Sequence, residues 1–213
     1  GFYQRFENVH RGSEESVVTR LGAYQPLLDT LHGIAPGSAA LDLGCGRGEW
    51  LQLLQNVGFE PEGVDTDEDM RASCQSKGLT VHDKDALSFL KSAPDNHYAI
   101  VSAFHLVEHI RFTELTALLQ EAYRAIVPGG ILLLETPNPE NPLIGACYFY
   151  MDPTHEKPLP PALLQFAADF SGFQPSCVWR VNEDKDLRSK APSLTTVFKA
   201  ASPDYAVIAQ KPG

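Results

Sequence analysis

The segment HLVEH carries the most chemically capable side chains in this sequence. Its residues His105, Glu108 and His109 are spaced so that they share one face of a helical turn. A histidine that titrates near neutrality can accept a proton from a hydroxyl group, and imidazole and carboxylate groups together can hold a divalent cation. The pattern also matches an inverted zinc-protease motif, but the surrounding strands and helices exclude that fold.

A further histidine, His155, stands in the proline-rich residues 136–161. A passage of this length inside a domain is usually functional, and we expect it to cross the same crevice as the HLVEH segment. A mixed nitrogen and oxygen ligand set suits Mn²⁺, Fe²⁺, Ni²⁺ or Zn²⁺ better than Mg²⁺. The predicted ligands are His105, Glu108, His109 and His155. Two alternatives stay open: His109 or His155 as a metal-free general base, or a purely structural role.

A second group of candidates follows the aliphatic run Ala39–Leu43. Gly44, Gly46 and Gly48 alternate with other residues, and glycine allows the backbone to approach a ligand without a Cβ in the way. The helix that begins after this turn favours an acceptor or carboxylate group at its amino terminus. Asp65 ends the next predicted strand, where a carboxylate can accept both hydroxyls of a ribose. The sequence therefore predicts a nucleoside site.

Short aliphatic runs alternate with helical patterns between Ala39 and Glu135, as in βαβ units of a parallel sheet with helices on both faces. The predicted strands are Ala39–Leu43, Pro61–Asp65, Thr80–His82, Ala99–Ala103, Gly130–Glu135, Gln174–Val181 and Asp204–Gln210. The predicted helices are Ser13–Leu31, Gly48–Val57, Asp67–Ser76, Asp85–Lys91, Thr113–Ile126 and Ala162–Phe170. The polar stretch Asn182–Ser193 is predicted to be a surface hairpin loop. In such a sheet the ligand crevice lies beyond the carboxyl ends of the strands.

Composition excludes several classes of protein. The 213 residues include 17 basic and 27 acidic side chains, a net charge of −10, which disfavours binding to nucleic acid or to an anionic membrane surface. No apolar run approaches the ~20 residues of a membrane span, and no signal peptide is visible. The four cysteines form no C-x-x-C pair and indicate reduced thiols in a cytoplasmic protein.

The spacing D-x-G-x-G-x-G resembles motif I of the class I S-adenosylmethionine-dependent methyltransferases. The similarity continues, in the order typical of that family, through Asp65, Asp85-Ala86, YAIVSAFHLVEHI and AIVPGGILLLETPNPEN, and covers about residues 39–140. It implies a Rossmann-like fold with a mostly parallel seven-stranded sheet, an N-terminal helical arm and a proline-rich insert after the fifth strand. It also implies S-adenosylmethionine as cofactor and S-adenosylhomocysteine as product.

The resemblance assigns cofactor roles to individual residues. The cofactor would lie across the glycines, with Asp42 supporting the turn near the methionine end and Cys45 small enough to fit in the turn. Asp65 would hold the ribose, Thr66 or Asp67 would lie beside the adenine, and Asp85 and Ala86 would contact the adenine. The predicted cofactor residues are Arg11, Asp42, Gly44, Cys45, Gly46, Gly48, Asp65, Thr66, Asp85, Ala86 and Phe104. Arg11 is included because a guanidinium suits the methionine carboxylate.

HLVEH also resembles the E-x-x-E-H motif of ubiquinone-pathway O-methyltransferases and of small-RNA terminal 2′-O-methyltransferases, which bind a divalent cation there. This sequence departs from the motif by having His105 where those families have a glutamate. The whole chain resembles bacterial domains associated with surface polysaccharides, often fused to glycosyltransferases. The segments that carry this resemblance are FYQRFENVHRGS near the start and NPENPLIGACYFYMDPTHEKPLPPALLQFAADFSGF later in the chain. The resemblance implies O-methylation of a sugar hydroxyl of a surface glycan such as O-antigen.

Two alternatives to glycan methylation remain. One is a small-molecule O- or N-methyltransferase of quinone or secondary metabolism, and the other is a non-catalytic module that assists a glycosyltransferase. We expect one domain: an N-terminal arm (1–38), a cofactor-binding core (39–135), an acceptor-side insert (136–161) and a C-terminal helix with closing strands (162–213).

Overall fold

The structure is a computed structural model, and it describes residues 12–35, 37–183 and 193–213. Its strands are β1 (Ala39–Leu43), β2 (Glu60–Val64), β3 (Thr80–His82), β4 (Tyr98–Phe104), β5 (Ile126–Pro137), β6 (Ser176–Val181) and β7 (Asp204–Gln210). Its helices are α1 (Glu14–Leu21), α2 (Gln25–Ile34), α3 (Glu49–Val57), α4 (Glu68–Ser76), α5 (Ala86–Ser92), α6 (Phe112–Ala125), α7 (Pro142–Ala146), α8 (Pro161–Phe170) and α9 (Leu194–Ala200). Three short 3-10 helices span Gly22–Tyr24, Val107–His109 and Tyr148–Met151.

Within the described residues the strands form one sheet in the order β3-β2-β1-β4-β5-β7-β6. The first five strands are parallel, and β7 runs antiparallel between β5 and β6. Because β7 is reversed, its first residue, Asp204, pairs with Pro137 at the carboxyl end of β5. This topology confirms the predicted Rossmann-like fold.

Apolar side chains cover both faces of the sheet, as the alternation of strands and helices predicts. One cluster packs Tyr24 of the first 3-10 turn, Leu28 of α2 and Leu54 of α3 against β4 and β5. The cluster on the other face includes Leu90 and Leu118, from α5 and α6. No helix in the described part of the chain is long and apolar enough to cross a bilayer.

Asp67 and Asp85 begin helices as N-caps rather than as first helical residues. The Asp67 side chain accepts hydrogen bonds from the backbone of Asp69 and Met70, and Asp85 accepts one from Ser88. Such caps satisfy backbone N–H groups that have no partner inside the helix. Both helices therefore start one residue later than predicted.

Two other predictions need correction. The single helix predicted from Ser13 to Leu31 is interrupted by the 3-10 turn Gly22–Tyr24, and a new helix starts there with Pro26 in its first turn, a position that proline favours. Helix α9 was not predicted; Ser193 caps it by accepting a hydrogen bond from Thr196 N. Most of the predicted loop Asn182–Ser193 falls outside the described residues.

Candidate active site

A cleft of about 1250 Å³ opens at the carboxyl ends of the parallel strands, where the sequence predicts it. The cofactor half of the cleft is formed by the residues that follow β1, β2 and β3. The acceptor half follows β4 and β5 and includes the start of β7 and residues 148–155 of the insert. Most of the predicted site residues line one of these halves.

The glycine turn forms the floor of the cofactor half. Gly44, Gly46 and Gly48 have left-handed φ angles of +69°, +54° and +84°, which side chains rarely tolerate. A Cβ at Gly48 would also lie 2.6 Å from Leu79 Cδ1. The turn therefore requires glycine for its conformation and, at Gly48, also for its packing.

Asp65 braces this turn as well as facing the cleft. Its Oδ2 accepts a hydrogen bond from Gly46 N at 2.8 Å, and its Oδ1 accepts one from Asp67 N at 2.9 Å. A carboxylate can accept about four hydrogen bonds, so each oxygen keeps capacity for a ribose hydroxyl. The bracing of the turn is a structural role that the sequence analysis missed.

Asp42 and Cys45 are largely buried at the glycine turn, and both also line the cleft. Asp42 Oδ1 accepts a hydrogen bond of 2.7 Å from Ser102 Oγ, which itself accepts one of 2.8 Å from Trp50 Nε1. These bonds tie the end of β1 to β4 and α3. Cys45 packs with Cys74 in a small apolar cluster, in agreement with its predicted role as a small residue that fits the turn.

Four of the remaining cofactor candidates also line the cleft. Thr66, Asp85, Ala86 and Phe104 are at its wall. The hydrogen bonds from Ser88 lower the pKa of Asp85, so this carboxylate is ionised, and its Oδ1 accepts the bond from Ser88 N. Arg11, predicted to pair with the methionine carboxylate, lies outside the described residues.

The structure adds cleft residues that the sequence analysis did not single out. Val17, Arg20 and Leu21 line the cleft at spacings of three and four residues, which is the signature of one face of α1. Glu49 is buried at the first position of α3 and accepts a 2.8 Å hydrogen bond from Arg47 Nε. Arg20 thus supplies a guanidinium at the cleft wall.

The acceptor half brings together three of the predicted metal ligands. Glu108 and His109 come from the 3-10 turn after β4, and His155 comes from the insert, with one ligating atom of each lying within 4.8 Å of the others. The insert is held there by a 2.8 Å hydrogen bond from Glu156 N to the Glu108 carbonyl oxygen. The insert therefore reaches the HLVEH segment, as predicted from its length.

Neighbouring groups determine which ring nitrogen of His109 and His155 carries the hydrogen. When these rings are neutral, the Nε2 atom of each is unprotonated. His155 Nδ1 lies 2.7 Å from the Phe149 carbonyl oxygen, which can only accept, so Nδ1 carries the hydrogen. Thr154 Oγ1 donates to Asp152 Oδ1, and His109 Nδ1 must therefore donate to Thr154 Oγ1 at 2.8 Å. Such outer bonds are the usual way to orient metal-binding or basic imidazoles.

The ionisation of the group suits a ligand or base role. Burial lowers the pKa of His109, and the neighbouring His155 lowers it further, so the ring is neutral at neutral pH. Burial alone would raise the pKa of Glu108, but the neighbouring His105 lowers it below its usual range. Glu108 is 1% exposed, its Oε2 accepts from Thr136 Oγ1, and its Oε1 has no hydrogen bond.

His105 belongs to a different group, which corrects the predicted four-ligand cluster. Its φ of +53° places it before the 3-10 turn and outside helical geometry, so the expected shared face with Glu108 and His109 does not form. Its Nδ1 lies 3.3 Å from Glu108 Oε1, and its Nε2 faces Glu135 and Asp204. His105 is thus a neighbour of the three-residue group and not its fourth ligand.

Comparison with known proteins agrees with this arrangement. Residues 18–169 match a protein family described as "Methyltransferase domain". A solved SAM-dependent methyltransferase from Archaeoglobus fulgidus is 34% identical, with a TM-score of 0.85 over 99% of this chain and 100% of that one. The chain belongs to the methyltransferase family. It is a class I S-adenosylmethionine-dependent methyltransferase, as the glycine turn and the fold predict.

Two curated relatives are more distant. A ubiquinone biosynthesis O-methyltransferase from Methylococcus capsulatus is 25% identical over 62% of this chain and 64% of its own length. A trans-aconitate 2-methyltransferase from Sinorhizobium medicae is 27% identical over 73% of this chain and 54% of its own length. The methyltransferase chain therefore spans less than two thirds of either curated relative.

The charge of His105 stabilises the acceptor half of this methyltransferase. Burial opposes protonation, but Glu108 and Glu135 raise the pKa of His105 well above its ordinary value. A raised folded-state pKa contributes stability that is complete below the unfolded pKa of about 6.5 and is lost as pH rises through the folded pKa. The ring is 44% exposed, which screens the interaction with water.

We therefore expect His105→Gln to lower the free energy of unfolding by about 1–2 kcal/mol near pH 6, and by less near pH 9. Thermal melts of metal-free protein across this range would measure the difference in Tm. His97→Gln is the matched control, since His97 packs on Tyr98 at the opposite end of β4. A difference that is independent of pH would contradict the assigned charge.

Proposed function

We propose that this methyltransferase transfers the methyl group of S-adenosylmethionine to a hydroxyl oxygen of a small-molecule acceptor. The observation that carries the proposal is the group of Glu108, His109 and His155 in the acceptor half, with both Nε2 lone pairs available. A hydroxyl must lose its proton during methyl transfer, and this group provides the means.

The cofactor half supplies binding and orientation. S-adenosylmethionine brings an electrophilic methyl group on its sulfonium. The glycine turn, braced by Asp65, and the cleft residues Asp85 and Phe104 would hold it across β1 to β4. Alignment of acceptor and methyl group removes much of the entropic cost of a reaction between two molecules.

The residues of the acceptor half fit a divalent cation. Glu108 Oε1 is a buried carboxylate oxygen that forms no hydrogen bond and has only the 3.3 Å ion pair with His105 Nδ1, so it keeps capacity for a further cation or donor. Two imidazoles and a carboxylate form a ligand set typical of Mn²⁺, Fe²⁺, Ni²⁺ or Zn²⁺. Such an ion, when bound, would lower the pKa of a coordinated hydroxyl. Glu108, His109 and His155 would hold it.

His109 alone can serve as a general base if no ion is bound. Its lowered pKa leaves Nε2 unprotonated, and Thr154 and Asp152 fix the ring. A base needs only one imidazole, however, whereas the structure orients two imidazoles next to a buried carboxylate. We therefore favour the metal-assisted reaction.

The names of the curated relatives favour a small acceptor over a glycan. They refer to ubiquinone biosynthesis and to trans-aconitate. This is closer to the small-molecule alternative of the sequence analysis than to the predicted O-antigen sugar or a glycosyltransferase partner. The domain division predicted from the sequence, with residues 136–161 on the acceptor side, remains part of the proposal.

The test is transfer of labelled methyl from S-adenosylmethionine to a panel of diols and amino alcohols, with mass spectrometry to locate the methyl group. We expect an O-methyl product that is lost after chelation and restored by Mn²⁺, while calorimetry shows unchanged S-adenosylhomocysteine binding. Products methylated on nitrogen would overturn the proposed acceptor atom. Full activity after exhaustive chelation would exclude the metal and leave His109 as the base.

A further inference from the structure

Two buried carboxylates, Glu135 and Asp204, face the acceptor half beyond the proposed metal ligands. Each is 6% exposed, and both belong to the wall of the cleft. Glu135 lies at the end of β5 opposite Phe104 of β4, and Asp204 begins β7. They therefore lie on the side of β4 away from β1, β2 and β3, which hold the cofactor half.

Each carboxylate accepts a hydrogen bond at one oxygen, and its other oxygen faces His105. Tyr24 Oη donates to Glu135 Oε2 at 2.5 Å, and Asn182 Nδ2 donates to Asp204 Oδ2 at 2.9 Å. The second oxygens, Glu135 Oε1 and Asp204 Oδ1, lie 3.5 Å and 3.8 Å from His105 Nε2. Both distances exceed an ordinary hydrogen bond, so the imidazole satisfies neither oxygen fully.

Glu108 Oε1, on the other side of the His105 imidazole, also lacks a hydrogen-bond donor. It lies 3.3 Å from His105 Nδ1 without forming a hydrogen bond, although the atom is buried. Three carboxylate oxygens thus surround one ring that has two nitrogens. The pocket has more acceptors than donors.

The charges of the acceptor half point the same way. Among the described residues that line it, the acidic side chains are Glu108, Glu135, Asp152 and Asp204, and the basic ones are Arg20 and the histidines His105, His109 and His155. Arg20, on α1, acts on Asp204 electrostatically. With Arg20 and His105 charged and the other two histidines neutral, the net charge of these groups is negative, which disfavours an anionic group and favours a cationic donor.

We propose that Glu135 and Asp204 bind a protonated amino group of the acceptor, near the hydroxyl that is methylated. An ammonium group supplies three N–H donors and a positive charge, which matches Glu135 Oε1 and Asp204 Oδ1, the two oxygens that His105 Nε2 approaches only to 3.5 Å and 3.8 Å. This assignment rests on the proposed function because it takes this half of the cleft as the acceptor site. It makes the acceptor an amino alcohol rather than a carboxylic acid.

The test compares three probes of similar size: ethanolamine, ethylene glycol and glycolate, which carry a positive, a neutral and a negative charge. Each is titrated into chelator-treated protein saturated with S-adenosylhomocysteine and followed by NMR shifts of backbone amides. We expect ethanolamine to bind at least about tenfold more tightly than either other probe. Equal affinities, or tighter binding of glycolate, would overturn the proposal whether or not any variant folds.

Variants then test whether Glu135 and Asp204 are the residues that bind the ammonium group. We expect Glu135→Gln with Asp204→Asn to abolish the preference for ethanolamine and to keep S-adenosylhomocysteine binding. Glu62→Gln is the matched control, since Tyr98 Oη donates to that carboxylate at 2.6 Å outside the cleft. Weaker S-adenosylhomocysteine binding by the double variant would instead assign the carboxylates to the cofactor.

Mn²⁺ titration distinguishes an amine site from a second metal site. One bound ion per wild-type chain agrees with the proposal, whereas a second ion lost in Asp204→Asn would overturn it. Failure of the wild type to bind S-adenosylhomocysteine would contradict the proposed function itself. Retained cofactor binding without a preference for ethanolamine would contradict only this inference.

Discussion

The Asp65→Ala variant should bind S-adenosylhomocysteine about 100-fold more weakly than the wild type. Hydrogen bonds to a charged acceptor contribute about 1.5–3 kcal/mol each, and each 1.4 kcal/mol is a factor of ten in affinity. The substitution removes the proposed acceptor of two ribose hydroxyls and also the brace on Gly46 N and Asp67 N. Isothermal titration calorimetry measures the change.

Two further variants separate the effect of Asp65 on the ligand from its effect on the turn. Asp65→Asn keeps one carbonyl oxygen for a backbone N–H and should bind with intermediate affinity. Asp95→Ala removes an exposed carboxylate that pairs with Arg124 away from the cleft, and it should bind like the wild type. Wild-type affinity in a folded Asp65→Ala protein would refute the placement of the cofactor.

The Glu108→Gln variant should bind Mn²⁺ at least about 100-fold more weakly, more than the loss typical of a group that only orients a ligand. Glutamine has the same shape and can still accept the hydrogen bond from Thr136 Oγ1, so the fold is kept. What is lost is the negative charge of a buried ligand atom. Electron paramagnetic resonance of free Mn²⁺ measures the change.

The same variant should lose methyl transfer to any acceptor found in the panel, while S-adenosylhomocysteine affinity changes by less than about threefold. Glu140→Gln is the control, since Glu140 forms an exposed ion pair with Arg180. Unchanged Mn²⁺ affinity together with lost activity would show that Glu108 acts without a metal. Unchanged activity would remove Glu108 from the mechanism.

Local sequence determined much of the fold because strands and caps depend on neighbouring residues. The bounds of β1, β3 and β7 coincide with those predicted from their aliphatic runs. The break of the first helix at Gly22–Tyr24 and the helix Leu194–Ala200 were missed. Both depend on a local feature, Pro26 in the first turn of α2 and the Ser193 cap of α9, that the hydrophobic pattern alone does not reveal.

The place of the cofactor half could be predicted from the sequence, because the glycine turn and the aspartate after the next strand are short-range features whose backbone geometry is fixed locally.

The arrangement of the acceptor half could not be predicted from the sequence. His109 meets Thr154 over 45 residues, and Tyr24 meets Glu135 over 111. The left-handed backbone of His105 places its ring between Glu108 on one side and Glu135 and Asp204 on the other. Spacing along the sequence identified the candidate histidines. Which carboxylate each histidine faces is determined only by the packing of the insert, β5 and β7.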